Sequence, residues 1–212
     1  MNLLHIDASI LGPNSASRAL SAAVVARLTA ADPSLTVTRR DLAADPIPHL
    51  SGAHLAAMMG VGGAEPGAPL AEDLAQGAAA LAEFLAADIV VIGAPVYNFT
   101  VPSHLKAWID RITIAGKTFR YTERGAEGLA GDKRVILAVT RGGFYGPGSP
   151  AAPLEHGETY LRGVFGFLGV TDLDVIVAEG LRVSDEQRAA AMDAAHARIA
   201  GLRTGREARA AA

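Results

Sequence analysis

Five short apolar runs, Leu3 to Ile6, Leu35 to Thr38, Ile89 to Gly93, Val135 to Thr140 and Val175 to Ala178, recur along the chain with alanine-rich stretches between them. Short apolar runs bounded by turn residues are the pattern of strands buried on both faces. The stretches between and after them, Ser17 to Ala30, Leu70 to Ala86, Pro102 to Ile112, Glu155 to Leu168 and Asp185 to Ala200, are the helical candidates, and Ser184 stands as the N-cap of the last. This alternation predicts an α/β fold: a doubly wound, five-stranded parallel sheet with helices on both faces. Right-handed crossovers then leave two common strand orders, and both place ligands at the carboxyl ends of the strands. Half of the 212 residues are hydrophobic, enough for one core, so residues 1–203 are expected to form one domain and 204–212 a frayed tail. The Gly- and Pro-rich stretch Gly60 to Pro69 reads as a mobile loop.

Composition narrows the chemistry. Net charge is −3 and no basic run is longer than Arg39-Arg40 or Lys133-Arg134, which leaves no electrostatic footprint for nucleic acid. The absence of Cys excludes a thiolate nucleophile, a disulfide scaffold and a Cys-ligated metal, so redox chemistry has to come from a bound cofactor. No stretch approaches a membrane span and the N-terminus has no signal-peptide pattern, so a cytoplasmic location is expected. No H-x-x-x-H spacing supports a metal site, and Ser9 lacks the G-x-S-x-G elbow of a hydrolase.

Function is then expected in the loops after the strands. After the first come Ser9, Asn14, Ser15, Ala16 and Ser17, whose hydroxyls and free amides at a helix start suit a phosphate. An ordinary N-cap by Ser15 or Ser17 accounts for the pattern equally well. After the third strand, Val96, Tyr97, Asn98 and Phe99 set two aromatics around an amide, as a planar heterocycle with polar edges requires, although packing alone explains aromatics at a strand end. After the fourth, Thr140, Arg141, Gly142 and Gly143 either let the backbone approach a flat ligand or form a tight turn. All three loops share one crevice only in a flavodoxin-like strand order.

With Pro95 to Phe99, Lys117 to Glu123, Thr140 to Gly143 and Phe167 to Asp172 in this order, the chain resembles the FMN-dependent NAD(P)H:quinone oxidoreductases of the azoreductase family. The resemblance implies FMN as cofactor, with its phosphate at Ser9 and Ser15 to Ser17, its ring against Val96 to Phe99 and its polar rim near Thr140 to Gly143. NADH or NADPH is the implied donor, a quinone or azo compound the acceptor, and a homodimer the assembly. Phe119 and Tyr121 stand as candidates for the acceptor side, with packing an equal alternative. Val96, Ala16 and Thr140 depart from the residues common in the family and bear on acceptor preference.

No protein side chain is assigned a catalytic role, because the flavin carries the electron chemistry. A shared ring face predicts ping-pong kinetics. Structural roles are expected for His5 and His104, and His156 is a weak candidate near the acceptor. Two other readings stay open: an FMN electron carrier or regulatory module without a nicotinamide site, and an FMN reductase that releases reduced flavin. The physiological acceptor and the choice between NADH and NADPH are not legible in the sequence.

Overall fold

The computed structural model describes residues 1–61 and 67–204. Its main sheet is parallel and has the order β2-β1-β3-β6-β7, formed by β1 (Asn2–Asp7), β2 (Thr36–Asp41), β3 (Ile89–Pro95), β6 (Arg134–Thr140) and β7 (Asp172–Ala178). A short antiparallel hairpin, β4 (Phe119–Thr122) with β5 (Gly125–Gly128), stands apart from it. Crossovers run through α1 (Ala16–Ala31), α3 (Ala68–Ala86), α4 (Ser103–Ile112) and α5 (Glu158–Phe167), while α6 (Asp185–Ala200) follows β7 and α2 (Gly52–Met58) lies between β2 and α3.

Strand periodicity divides the core into two layers. Val90, Ile92 and Ala94 point to one face with Val135, Leu137 and Val139, where Phe84, Trp108 and Phe165 from α3, α4 and α5 cover them. Ile89, Val91, Ile136 and Ala138 point to the other, under Leu20, Val24 and Leu28 of α1 and Ala195 and Ile199 of α6. Alternate residues of a strand face opposite ways, so an apolar run is buried on both sides only if helices flank both. Phe84 and Trp108 meet edge to face at 6.0 Å in the first layer.

The expected doubly wound sheet is therefore present, and the chain departs from expectation in its details. β7 begins at Asp172 rather than Val175, because its two acidic residues are neutralised: Arg203 donates to Asp172 and Arg134 to Asp174. β2 runs on through Arg39 and Arg40 to Asp41 at the sheet edge, where an exposed polar strand resists pairing with another chain. Helix α3 takes the last two residues of the Gly60 to Pro69 stretch, with Pro69 in its first turn; residues 62–66 lie outside the described residues, as does 205–212 of the tail. The helix α2 and the hairpin were not anticipated. Among the described residues no helix is long and apolar enough to cross a membrane.

Candidate functional site

The loops after β1, β3 and β6 meet in a cleft of about 490 Å³ at the carboxyl end of the sheet. Each is held by a different device.

In the first loop Ser15 caps α1, its Oγ accepting from the Arg18 N–H at 3.3 Å, so the N-cap reading is correct for that residue. The cap leaves the N–H groups of Ala16 and Ser17 without an acceptor among the described residues, as a helix start must. Ser15 and Ser17 place their hydroxyls 3.1 Å apart, and both side chains are buried. Arg18 fixes the loop from behind: its guanidinium donates twice to the Ser9 carbonyl, at 3.1 and 2.7 Å, and twice to the Asp41 carboxylate, at 2.6 Å each. That bidentate pair holds the Asp41 carboxyl below its ordinary range and raises the Arg18 guanidinium. Beneath it, Gly93 allows α1 to sit directly on β3, since a Cβ there would lie 2.8 Å from Asp7 Oδ1 and 3.1 Å from the Ser17 carbonyl.

The second loop is a tight turn across Tyr97 and Thr100, which exchange backbone hydrogen bonds at 2.9 and 3.2 Å. Its two central residues, Asn98 at φ 48° and Phe99 at φ 76°, both lie in the left-handed region. Asn tolerates that conformation, but Phe does so at a cost of about 1–2 kcal/mol. The turn leaves the Asn98 and Phe99 N–H groups without partners among the described residues. The neighbouring loops tie it down. The Tyr97 hydroxyl lies 3.1 Å from Ser9 Oγ and accepts from the Ile10 N–H at 3.3 Å. The Phe99 ring meets Tyr145 edge to face at 6.2 Å, and the His156 N–H donates to the Phe99 carbonyl at 2.9 Å.

The third loop is laced to the segment after β7. The carbonyls of Arg141, Gly142 and Gly143 accept from the N–H groups of Leu181, Arg182 and Gly180. Gly180 is required there: its φ is +74°, and a Cβ would lie 2.6 Å from Phe144 Cζ. The Arg141 guanidinium is buried and donates to Glu158 at 2.5 Å and Glu179 at 3.2 Å. With these carbonyls and the two terminal guanidinium nitrogens engaged, the N–H groups of Gly142, Gly143 and Phe144 are left without acceptors among the described residues, as is the buried Nε of Arg141. A flat ligand with acceptor atoms on its edge satisfies such amides.

Of the residues expected at a cofactor, Ser9, Ser15, Ala16, Val96, Tyr97, Asn98, Thr140, Arg141 and Gly142 line the cleft. Ser17, Phe99 and Gly143 do not line it, but each lies against a residue that does: Ser17 against Ser15, and Phe99 and Gly143 against Tyr145. Phe119 and Tyr121 do not line it: they stand on the hairpin, Phe119 packed on Phe167 at 4.8 Å and Tyr121 exposed. His156 acts through its backbone and is likewise outside the cleft. His104 donates from Nε2 to the Ala8 carbonyl and His5 meets Ser21 Oγ at 2.9 Å, both structural contacts. Asn14 of the first loop and Pro95 of the Pro95 to Phe99 motif line it as well, and so do Leu11, Tyr145, Leu181, Arg182 and Arg188, which the sequence did not single out. For the last three the signal was position: they follow the fifth strand, and in a doubly wound sheet every loop at the carboxyl edge borders the crevice.

Fold and cleft together define a doubly wound α/β protein with a hydroxyl-lined helix start after the first strand and unpaired backbone N–H donors after the third and fourth. A family model described as a flavodoxin-like fold matches residues 1–202, and the chain belongs to that family. It is 61% identical over 203 residues to an FMN-dependent NADH:quinone oxidoreductase of Xanthomonas campestris pv. campestris, covering 95% of this chain and 99% of the relative. An azoreductase structure from Bacillus anthracis str. Sterne superimposes with a TM-score of 0.81 at 31% identity, over 95% of this chain and 100% of that one. An FMN-dependent NADH-azoreductase from Bacillus anthracis str. Ames Ancestor, solved in complex with FMN, superimposes with a TM-score of 0.84 at 26% identity, over 94% and 95%.

Proposed function

We propose that this enzyme is an FMN-dependent oxidoreductase that passes two electrons from NADH to quinones and azo compounds. The observation that carries the reading is the convergence of the three loops on one cleft, with hydroxyls and a helix start at one end and unpaired backbone N–H groups at the other. The residues present fit FMN, whose single phosphate and polar-edged ring match those two ends. The names of the relatives agree with this reading.

In this reading Ser9, Ser15 and the N–H groups of Ala16 and Ser17 hold the phosphate, Val96 to Asn98 pack against the ring, and the Gly142 and Gly143 N–H groups meet its polar edge. FMN supplies the electron-carrying ring that the amino-acid side chains lack. The protein contributes position: Arg18 fixes Ser9, Tyr97 joins the first two loops, and Arg141 holds the third. Donor and acceptor reach the ring through one mouth, so they occupy it in turn and double-reciprocal plots are parallel.

A homodimer extends the reading. An apolar groove of about 350 Å³ between α4 and α5, lined by Ile109, Thr113, Tyr160, Val164 and Phe167, lies beside the exposed hairpin that carries Phe119 and Tyr121. A second copy covering this face brings the exposed Tyr121 into an interface, over the already buried Phe119, and keeps the pair as acceptor-side candidates. Sedimentation of the FMN-loaded protein tests it, with a monomer at micromolar concentration as the opposing result.

The functional test is an anaerobic visible spectrum of FMN-loaded, desalted protein before NADH, after NADH and after a benzoquinone. Bleaching followed by recovery supports the reading. Retained flavin that NADH does not bleach supports a carrier instead, and failure to retain FMN overturns the assignment of the cleft.

A further inference from the structure

Arginine near the carboxyl edge of the sheet is mostly neutralised. Arg18 pairs with Asp41, Arg40 with Glu83, and Arg141 with Glu158 and Glu179. Arg182 and Arg188 break the pattern. Both line the cleft, both are exposed, and neither guanidinium makes a hydrogen bond or ion pair with a described residue. Nearby carboxylates do not serve them: Glu179 is taken by Arg141 and by the Tyr145 N–H, while Asp185 and Glu186 make no ion pair with either.

Arg182 is also held in place. Its N–H donates to the Gly142 carbonyl at 2.9 Å, and its Cγ and Cδ lie where a Cβ on Gly142 would meet them at 3.4 Å. The stem is thus packed on the glycine loop while the charge is left over. An unpaired guanidinium on an anchored stem loses less rotamer freedom on binding an anion than a free surface arginine.

The phosphate of FMN is not the anion in question. The proposed cradle follows β1 and the two arginines follow β7, with β3 and β6 between them. Three inter-strand spacings put the ends of β1 and β7 roughly 14 Å apart, with Arg182 laced to the glycine loop on the far side, while α6 packs beside α1 and brings Arg188 nearer the cradle; FMN has only one strongly anionic group. A second anion at the far side of the cleft has to arrive on another molecule.

We infer that Arg182 and Arg188 form an anion subsite at the mouth of the cleft, which recognises a phosphate, sulfonate or carboxylate carried by a substrate. The inference rests on the flavin reading of the cleft. Two sources share this chemistry: the phosphates of the dinucleotide donor, and an acidic substituent on the acceptor.

The test is an equilibrium one, independent of turnover. FMN-loaded wild-type protein and R182Q/R188Q are titrated calorimetrically with naphthalene-1-sulfonate, with its neutral sulfonamide, with NADP⁺ and with NAD⁺, at low and high salt. Two partly exposed ion pairs predict a preference for the anionic probe of about fivefold, diminished by salt and lost in R182Q/R188Q. R182K/R188K restores part of the preference, since it keeps the charge but not the fork. Loss of preference for NADP⁺ over NAD⁺ assigns the subsite to the ribose phosphate, and equal weakening of both dinucleotides assigns it to the pyrophosphate. Weakening of the sulfonate alone assigns it to the acceptor. The inference is overturned if wild type shows no preference for any anion, if the preference survives R182Q/R188Q, or if that variant loses FMN in parallel. Protein that binds the sulfonate through these arginines but is not bleached by NADH keeps the subsite and sinks the functional reading; the converse result does the opposite.

Discussion

The loops after β1 and β3 meet at the Tyr97 hydroxyl, which bonds to both Ser9 and Ile10, yet they are built on different principles. The first is a side-chain structure: an N-cap, a pair of hydroxyls and a bidentate Arg18–Asp41 clamp set its shape. The second is a main-chain structure, whose shape lies in two left-handed residues and a reciprocal pair of backbone bonds. The loop after β6 combines the two, with a buried arginine holding a turn that presents amides. A loop of the first kind fails when a polar partner is removed. A loop of the second kind fails when its φ angles are refused.

The largest effect is expected at Arg141, where both principles meet. Replacing it with Met leaves Glu158 and Glu179 partly buried without their shared cation, at a cost of about 3 kcal/mol, the lower end of the range because both carboxylates keep some solvent contact. Urea unfolding measures it. Arg141→Lys should recover less than half, because an ammonium cannot span two carboxylates as a fork does. Equal stability of Arg141→Met and wild type would show that the lacing to residues 180–182 holds the loop without the charge.

Next in size is the second loop. Phe99→Val puts a β-branched residue at φ 76° and should destabilise by about 1–2 kcal/mol. Phe99→Gly removes the strain and the contact with Tyr145 together, and should stay within about 0.5 kcal/mol of wild type. The contrast between the two variants is the test. If Val and Gly behave alike, the side chain matters and the backbone conformation does not. Tyr97→Phe follows: it removes the bonds to Ser9 and Ile10 at about 1 kcal/mol, and FMN affinity measured by flavin fluorescence should fall about fivefold as the two loops part.

The same division explains what could be read from the sequence. Strand runs such as Val135 to Thr140 announce themselves because burial on both faces forbids polar residues, and the hydroxyl-rich start of α1 announces itself because helix starts need acceptors. Side-chain devices leave residue types behind. The left-handed pair Asn98-Phe99 leaves no such mark, since Phe is not a residue that signals positive φ. Asp172 and Asp174 hid the start of β7, because their partners Arg134 and Arg203 lie some 30 to 40 residues away in the chain and only the fold brings them together. The buried contact of His54 with Asp73 and Arg111, which anchors α2 against α3 and α4, was invisible for the same reason.

The smallest effect expected is a pH dependence confined to the first loop. Asp41 accepts from Arg18 and from the Ala43 and Ala44 N–H groups, and its carboxyl titrates below its ordinary value of 3.8. A folded-state value below the unfolded one means the stabilisation is complete above about pH 4 and is lost as pH falls through the lowered value. The contribution is under about 1 kcal/mol, because the Asp41 side chain is 38% exposed. Wild type and Asp41→Asn should therefore differ by a constant amount from pH 7 to pH 5 and converge below about pH 4. The Tyr97 to Thr100 turn contains no carboxylate, so the difference between Phe99→Val and wild type should not change over the same range. Parallel pH profiles for the two pairs would mean that the clamp contributes geometry without charge, and the distinction between the loops would reduce to one of residue type.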